Sequence, residues 1–293
     1  MATSEQLRSP EHGIRSLDFR QRHLITDRLS RIPPGSLFGR ALRLPLLLVP
    51  GRAIVRVRSG INAGMRWIAG SSIHGCWLGH YEVEKQDLVA KLVKPGMKVF
   101  DIGANAGFYT LAFSRLVGDN GHVWAFEPFA ENASNVLRHL GLNGIGNVTL
   151  IQAAVADGSG VTGFQIAESN SMGMLSKESE RYLVPTVALD MLIQDGTVPV
   201  PDLIKMDVEG AESSVLEGAK TLLSRRTTVL LIALHGDLQM RRCLALLVEA
   251  GFAAYRLDGQ PVAADAEYVD EIYAVPVANP STVLPQAAGN TRA

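Results

Sequence analysis

From Lys98 onward, short apolar runs suited to strands alternate with longer amphipathic stretches suited to helices. Val99-Phe100 with Ile102, His122–Phe126, Val148–Val155, Leu203–Val208 and Val229–Leu234 read as strands. Tyr109–Val117, Ala130–Leu142, Ala211–Ser224 and Leu238–Ala250 read as helices. Strands that are apolar almost throughout belong in a parallel sheet covered on both faces, so the expected fold is a doubly wound, Rossmann-like α/β unit. Phe252–Leu257 and Ile272–Val277 have only a polar loop between them, which predicts an antiparallel pair at one edge. The turn Asp157-Gly158-Ser159-Gly160 leads into a further strand, Val161–Ile166. With 47% hydrophobic and 19% charged residues among 293, the chain has ample material for a core and is not globally disordered.

The region before Lys98 has a different character. Residues 1–66 hold 12 Arg, no Lys and 4 acids, a net of +8, against −9 for the remainder. The overall charge of −1 argues against a dedicated nucleic-acid binder. Residues 1–36 read as a loosely ordered or helical lead-in, and 37–50 as an Arg-flanked apolar stretch. That stretch suits either packing on the domain or on a second subunit, or peripheral contact with an anionic membrane; packing is the favoured reading. Ala53–Arg58 and Met65–Ala69 flank Ser59-Gly60-Ile61-Asn62 as a β-hairpin, and Glu84–Val93 forms a helix closed by Pro95-Gly96. No apolar run is long enough to span a bilayer or to serve as a secretion signal. Cys76 and Cys243 form no CxxC, which fits a reducing, cytoplasmic setting. The expected organisation is a basic extension with its hairpin over residues 1–80, a catalytic domain over 81–279 and a flexible tail over 280–293.

The most informative segment is Asp101-Ile102-Gly103-Ala104-Asn105-Ala106-Gly107, between a strand and a helix. Gly103 and Gly107 permit a tight turn and close approach of a ligand to the backbone, and Asn105 tolerates the left-handed conformation. Asp101 at the strand tip suits a cationic amine and opposes a pyrophosphate, and no phosphate-binding G-x-x-x-x-G-K-[ST] run occurs. Glu127 ends the next strand, where a carboxylate can accept both hydroxyls of a ribose. Together, Asp101 and Glu127 describe a site for S-adenosyl-L-methionine better than one for a phosphorylated dinucleotide. Asp157 fits equally a contact to the adenine amino group and a plain turn.

A third constellation is Lys205-Met206-Asp207-Val208-Glu209, whose charged members share one face if the strand continues through them. Lys205 in an apolar central strand needs a partner, and Asp207 is the nearest in sequence. Asp207 and Glu209 fall at the carboxyl end of the strand, where open parallel sheets bind substrates. His235 sits at the tip of the following strand, placed to act as a base. Glu212 reads as a helix-dipole acid. No local spacing resembles a metal motif, so a divalent ion held by Asp207, Glu209 and His235 is the less favoured alternative.

These residues resemble the FkbM-type methyltransferases. The resemblance rests on D-I-G-A-N-A-G at Asp101–Gly107, F-E-P around Glu127, A-L-D at Ala188–Asp190 and I-K-M-D-V-E-G-A-E at Ile204–Glu212. Gly79-His80-Tyr81-Glu82 and Lys94-Pro95-Gly96 match that family's lead-in, and Ala188 departs from its usual Thr. The resemblance covers Tyr81 to Val277 and implies a seven-stranded sheet with an antiparallel last strand. It also implies O-methylation of a hydroxyl on a secondary metabolite or glycan, with S-adenosyl-L-methionine as methyl donor. Asp207, Glu209, His235 and Lys205 are then the catalytic candidates, and Asp101, Gly103, Asn105, Gly107, Glu127 and Asp157 the cofactor-binding ones. An NAD-dependent oxidoreductase and an inactive cofactor-binding scaffold are the competing readings, and the oligomeric state is open.

Overall fold

A computed structural model describes residues 48–166, 173–175 and 182–277. The readings for residues 1–36, most of 37–50 and the tail therefore lie outside the described residues. The described residues open with the expected hairpin, β1 (Ile54–Arg56) against β2 (Arg66–Ile68), followed by a short helix α1 (His74–Leu78) and by α2 (Val83–Leu92). Then come β3 (Lys98–Ile102), α3 (Phe108–Val117), β4 (His122–Phe126), α4 (Ala130–Asn143) and β5 (Val148–Ile151). An arm follows, made of β6 (Ala154–Val155), β7 (Gly160–Ile166), β8 (Gly173–Leu175) and β9 (Leu183–Val187). The chain closes with α5 (Leu189–Gln194), β10 (Leu203–Met206), α6 (Glu212–Glu217), α7 (Lys220–Ser224), β11 (Val229–Ala233), α8 (Asp237–Glu249), β12 (Phe252–Tyr255) and β13 (Glu271–Pro276).

The main sheet has seven strands in the order β12-β13-β11-β10-β3-β4-β5. All run parallel except β13, which is antiparallel to both neighbours and lies inside β12. Buried apolar residues cover both faces. On one face Leu111, Phe113, Val99 and Val123 pack with Trp67 and Leu88; on the other Phe100, Ile102, Met206 and Ile232 pack with Leu216, Leu244 and Leu247. Each fully buried large apolar side chain contributes about 1.5–3 kcal/mol. Trp67 and Val57 of the hairpin belong to the same cluster as the sheet, so a boundary at residue 80 cuts through a continuous core. Among the described residues, no helix is long and apolar enough to cross a membrane.

Three readings need correction. The strand expected over 148–155 breaks after Ile151, because Ala154–Val155 leaves the main sheet to pair with β9 in a four-stranded arm. The helix expected over 211–224 is two helices. Its break sits at Gly218, where a Cβ would come within 2.1 Å of the Ala156 carbonyl oxygen, so only glycine lets the two segments pass. The strand expected over 203–208 ends at Met206, and Glu209 adopts a left-handed φ of 52°.

Candidate active site

The carboxyl ends of β3, β4 and β10 surround a cavity of about 280 Å³, where an open parallel sheet places its ligands. One end is formed by the loop Gly103–Ala106. Gly103 has φ 74°, and a Cβ there would lie 1.8 Å from the carbonyl oxygen of Asp207. Glycine is therefore required on both conformational and steric grounds. The N–H groups of Gly103 and Ala104 donate to the Phe126 carbonyl at 3.0 Å each, fixing the loop to the tip of β4. Asn105 has φ 51°, and its N–H donates to Glu127 Oε2 at 2.7 Å.

Glu127 is nearly sealed by protein. Its Oε1 accepts from the Phe129 N–H at 2.9 Å and from Asn132 Nδ2 at 3.4 Å. Burial pushes its pKa up to about 7, with the two backbone N–H bonds working the other way. The carboxylate lines the cavity, beside an apolar slot of Phe126, Phe129 and Ala153–Val155. A buried acid at the tip of the second strand, next to such a slot, fits a nucleoside: the acid suits the ribose hydroxyls and the slot suits the base.

Three expected cofactor contacts are not among the residues lining this cavity. Asp101 is fully buried beneath the loop, accepts from Thr110 Oγ1 at 2.6 Å and is not among the lining residues. Asp157 lies on the exposed turn after β6, its N–H donating to Ser214 Oγ, and Ala153–Val155 occupies the wall instead. Gly107 has φ 91° and starts α3, also outside the lining, so its freedom serves the helix start.

Lys205 shows why. The parallel register sets Lys205 directly beside Asp101, a pairing that spacing along the chain cannot reveal. Its Nζ donates to the Gly103 carbonyl at 3.0 Å and lies 3.3 Å from Asp101 but 3.9 Å from Asp207. Burial opposes its charge, yet Asp101 and Asp207 outweigh that and raise its pKa. Lys205 thus welds the cofactor loop to the neighbouring strand.

Asp207 and Glu209 line the same cavity from the segment after β10, with His235 beside them. His235 Nε2 is 3.2 Å from Glu209 and 3.7 Å from Asp207, while its Nδ1 meets Glu212 Oε1 at 2.7 Å. The bond to Glu212 raises the His235 pKa, as do the charges of Glu209, Glu212 and Asp207, while burial lowers it. Burial raises the Glu209 pKa, against the pull of His235. One ligand atom each from Asp207, Glu209 and His235 fall within 4.8 Å of one another, so this trio could also hold a divalent cation. Glu212 itself is fully buried and also accepts the Gly210 N–H at 2.8 Å. Sequence reading assigned it to the helix dipole; its second role follows from α6 packing against α8, which no local pattern signals. The aromatic wall was also missed: Tyr81, Phe108, Tyr109 and Trp67 line the cavity, and Tyr109 Oη donates to Glu82 at 2.9 Å. Asp190, of the A-L-D motif, caps α7 by accepting the N–H groups of Thr221 and Leu222 at 2.7 and 2.8 Å.

A seven-stranded sheet with an inserted antiparallel strand, a glycine turn after its first parallel strand and a buried acid after the second define a nucleoside-binding α/β enzyme class. Residues 101–272, more than half of the chain, match the Methyltransferase FkbM domain. The chain belongs to that family, and is an S-adenosylmethionine-dependent methyltransferase. Hexuronic acid methyltransferase AglP of Haloferax volcanii is 25% identical over 170 residues, covering 57% of this chain and 69% of that protein. A protein-L-isoaspartate O-methyltransferase of Ignicoccus hospitalis is 29% identical over 133 residues, covering 45% and 57%. Among solved structures, methyltransferase FkbM from Methylobacillus flagellatus KT aligns at 16% identity and a TM-score of 0.42, covering 65% of this chain and half of that one. A SAM-dependent O-methyltransferase of Thermotoga maritima aligns at 17% identity and a TM-score of 0.43, covering 80% of each chain.

Proposed function

We propose that the protein methylates a hydroxyl group of a glycan or glycan-like secondary metabolite. The observation that carries this reading is the arrangement of one cavity. Glu127, the Gly103–Ala106 loop, Asp207 and Glu209 line it together with the aromatic side chains Trp67, Tyr81, Phe108 and Tyr109. S-adenosylmethionine supplies an electrophilic methyl group when bound. Glu127 would hold its ribose, and the loop would hold its amino-acid portion close to β10. The chain's own task is then to place a hydroxyl oxygen in line and to take its proton.

Asp207 is the base in this reading. The pKa of His235 is raised, first through its bond to Glu212, which favours the imidazolium over the neutral base. Its charge pulls the Glu209 pKa down against burial, and Glu212 holds its ring in place. Lys205 contributes by fixing the loop rather than by gripping Asp207. The aromatic side chains offer flat apolar surface of the kind that packs against sugar rings, and the similarity to a hexuronic acid methyltransferase points to the same substrate class. Mass spectrometry of glycans and metabolites from cells with and without the protein tests this. The expected result is a 14-dalton increment, about the mass of one CH₂, on a hydroxyl-bearing species only when the protein is present; increments confined to protein carboxylates or nucleic acid would overturn it.

A further inference from the structure

We infer that the outward face of the β1–β2 hairpin is a docking surface for an anionic membrane. Along β1 and its flanks the side chains alternate. Val57 turns into the core, and Arg52, Ile54, Arg56 and Arg58 are exposed. In the hairpin register Arg56 stands directly opposite Arg66, which is exposed as well. Two like charges facing each other across a strand pair destabilise it, so the pair is costly unless an anion sits over it. Among the described residues none does. None of the four arginines has an ion-pair partner among the described residues; Arg56 alone makes a side-chain hydrogen bond, to the Gly64 carbonyl at 3.2 Å. From Leu48 through Tyr81 the chain contains no Asp or Glu at all.

Apolar exposure on the same element favours a bilayer over a nucleic acid or a soluble polyanion. Ile54 is 57% exposed amid the arginines, Leu48 leads into the hairpin at 84% exposed, and Ile73, just after it, is 53% exposed. Arginines interleaved with exposed aliphatic side chains match an interface of anionic headgroups over acyl chains. The charge division of +8 in residues 1–66 against −9 in the rest would orient the molecule with this face toward a negative surface. The placement has a functional consequence. The chain just after β2 supplies Ser72, Ile73 and Cys76, which line the active-site cavity together with Trp67 of β2, so docking would bring that cavity near the membrane.

The test is flotation of the full-length protein with vesicles of phosphatidylcholine alone or mixed with phosphatidylglycerol, at low and high salt. Binding to the phosphatidylglycerol vesicles only, weakening as salt rises, is expected. The variant R56Q/R58Q/R66Q should lose about a hundredfold in partitioning, from roughly fivefold per basic residue near an anionic surface. Its S-adenosylmethionine affinity by calorimetry should stay at the wild-type value, which certifies its fold. Three results would overturn the proposal: equal binding to neutral vesicles, wild-type partitioning by the variant (which would assign the contact to residues 1–47), or binding to a single-stranded RNA without binding to vesicles. If the variant does not fold, salt-insensitive binding of the wild type is sufficient to overturn it.

Discussion

At the Glu127 end of the cavity, almost every polar group has a fixed partner. The carboxylate is held by two backbone N–H groups, the loop by the Phe126 carbonyl, and the loop's underside by Lys205. At the Asp207 end, three carboxylates crowd one imidazole, Glu209 sits on a left-handed backbone, and Glu212 Oε2 is buried without a hydrogen-bond partner. The first region is built to hold one shape with little rearrangement. The second gathers three carboxylates around one imidazole, where the proposed base stands. Binding and turnover should therefore respond to different substitutions.

The largest separation is expected at Asp207. Asp207→Asn should slow single-turnover methyl transfer by about 10²–10⁴, the usual worth of a positioned base, with calorimetric cofactor affinity unchanged. A rate within threefold of wild type would make Asp207 structural and leave His235 as the better base. The converse holds at the other end. Glu127→Ala should cost about 1.5–3 kcal/mol of cofactor affinity, the scale of hydrogen bonds to a charged group. Unchanged affinity in a folded Glu127→Ala protein would remove the ribose from that position.

Protonation sharpens the contrast. Glu127, with its pKa raised to about 7, must ionise to accept two ribose hydroxyls, so cofactor affinity should fall as pH drops through about 7, by up to about tenfold per unit. Glu127→Gln should flatten that profile. The same shift works against folding stability in the other direction. The folded protein holds this proton more tightly than the unfolded chain, so stability declines as pH rises from the ordinary carboxylate range toward 7. His235 has the opposite sign of charge. Its folded pKa is raised, so its contribution is complete below about 6.5, the ordinary histidine value, and is lost as pH climbs through the raised value. Glu212→Gln should move the His235 titration, followed by NMR, back toward that ordinary value and cost about 1 kcal/mol of stability. A titration that does not move would break the link between the two. The smallest effect should come from a chelator: activity unchanged if Asp207 acts alone, abolished if the trio operates through a divalent ion.

How much of this was legible along the chain follows the same division. The sheet, its antiparallel strand and the glycine turn could be read because each rests on local pattern: apolar runs, a polar loop between the last two strands, and glycines between a strand and a helix. The pairing of Lys205 with Asp101 could not be read because it depends on register, which sets the two side by side on neighbouring strands that are far apart along the chain. The arm after β5 escaped because Ala154 and Val155 look like a continuation of the strand before them. Glu212 escaped because its burial is decided by helix packing, and the aromatic wall because Tyr81 comes from the turn before α2 and Tyr109 from α3.

The contact between Gly103 and the Asp207 carbonyl constrains how this scaffold can diverge. With no space for even a methyl group between them, the glycine turn and the backbone of Asp207, the base proposed above, form one packed part. New acceptors would have to be accommodated without touching that part, by remodelling the segment from Trp67 to Tyr81 that faces it. Random libraries aimed at altered substrate choice should thus find their productive changes there and return dead proteins from the strand tips.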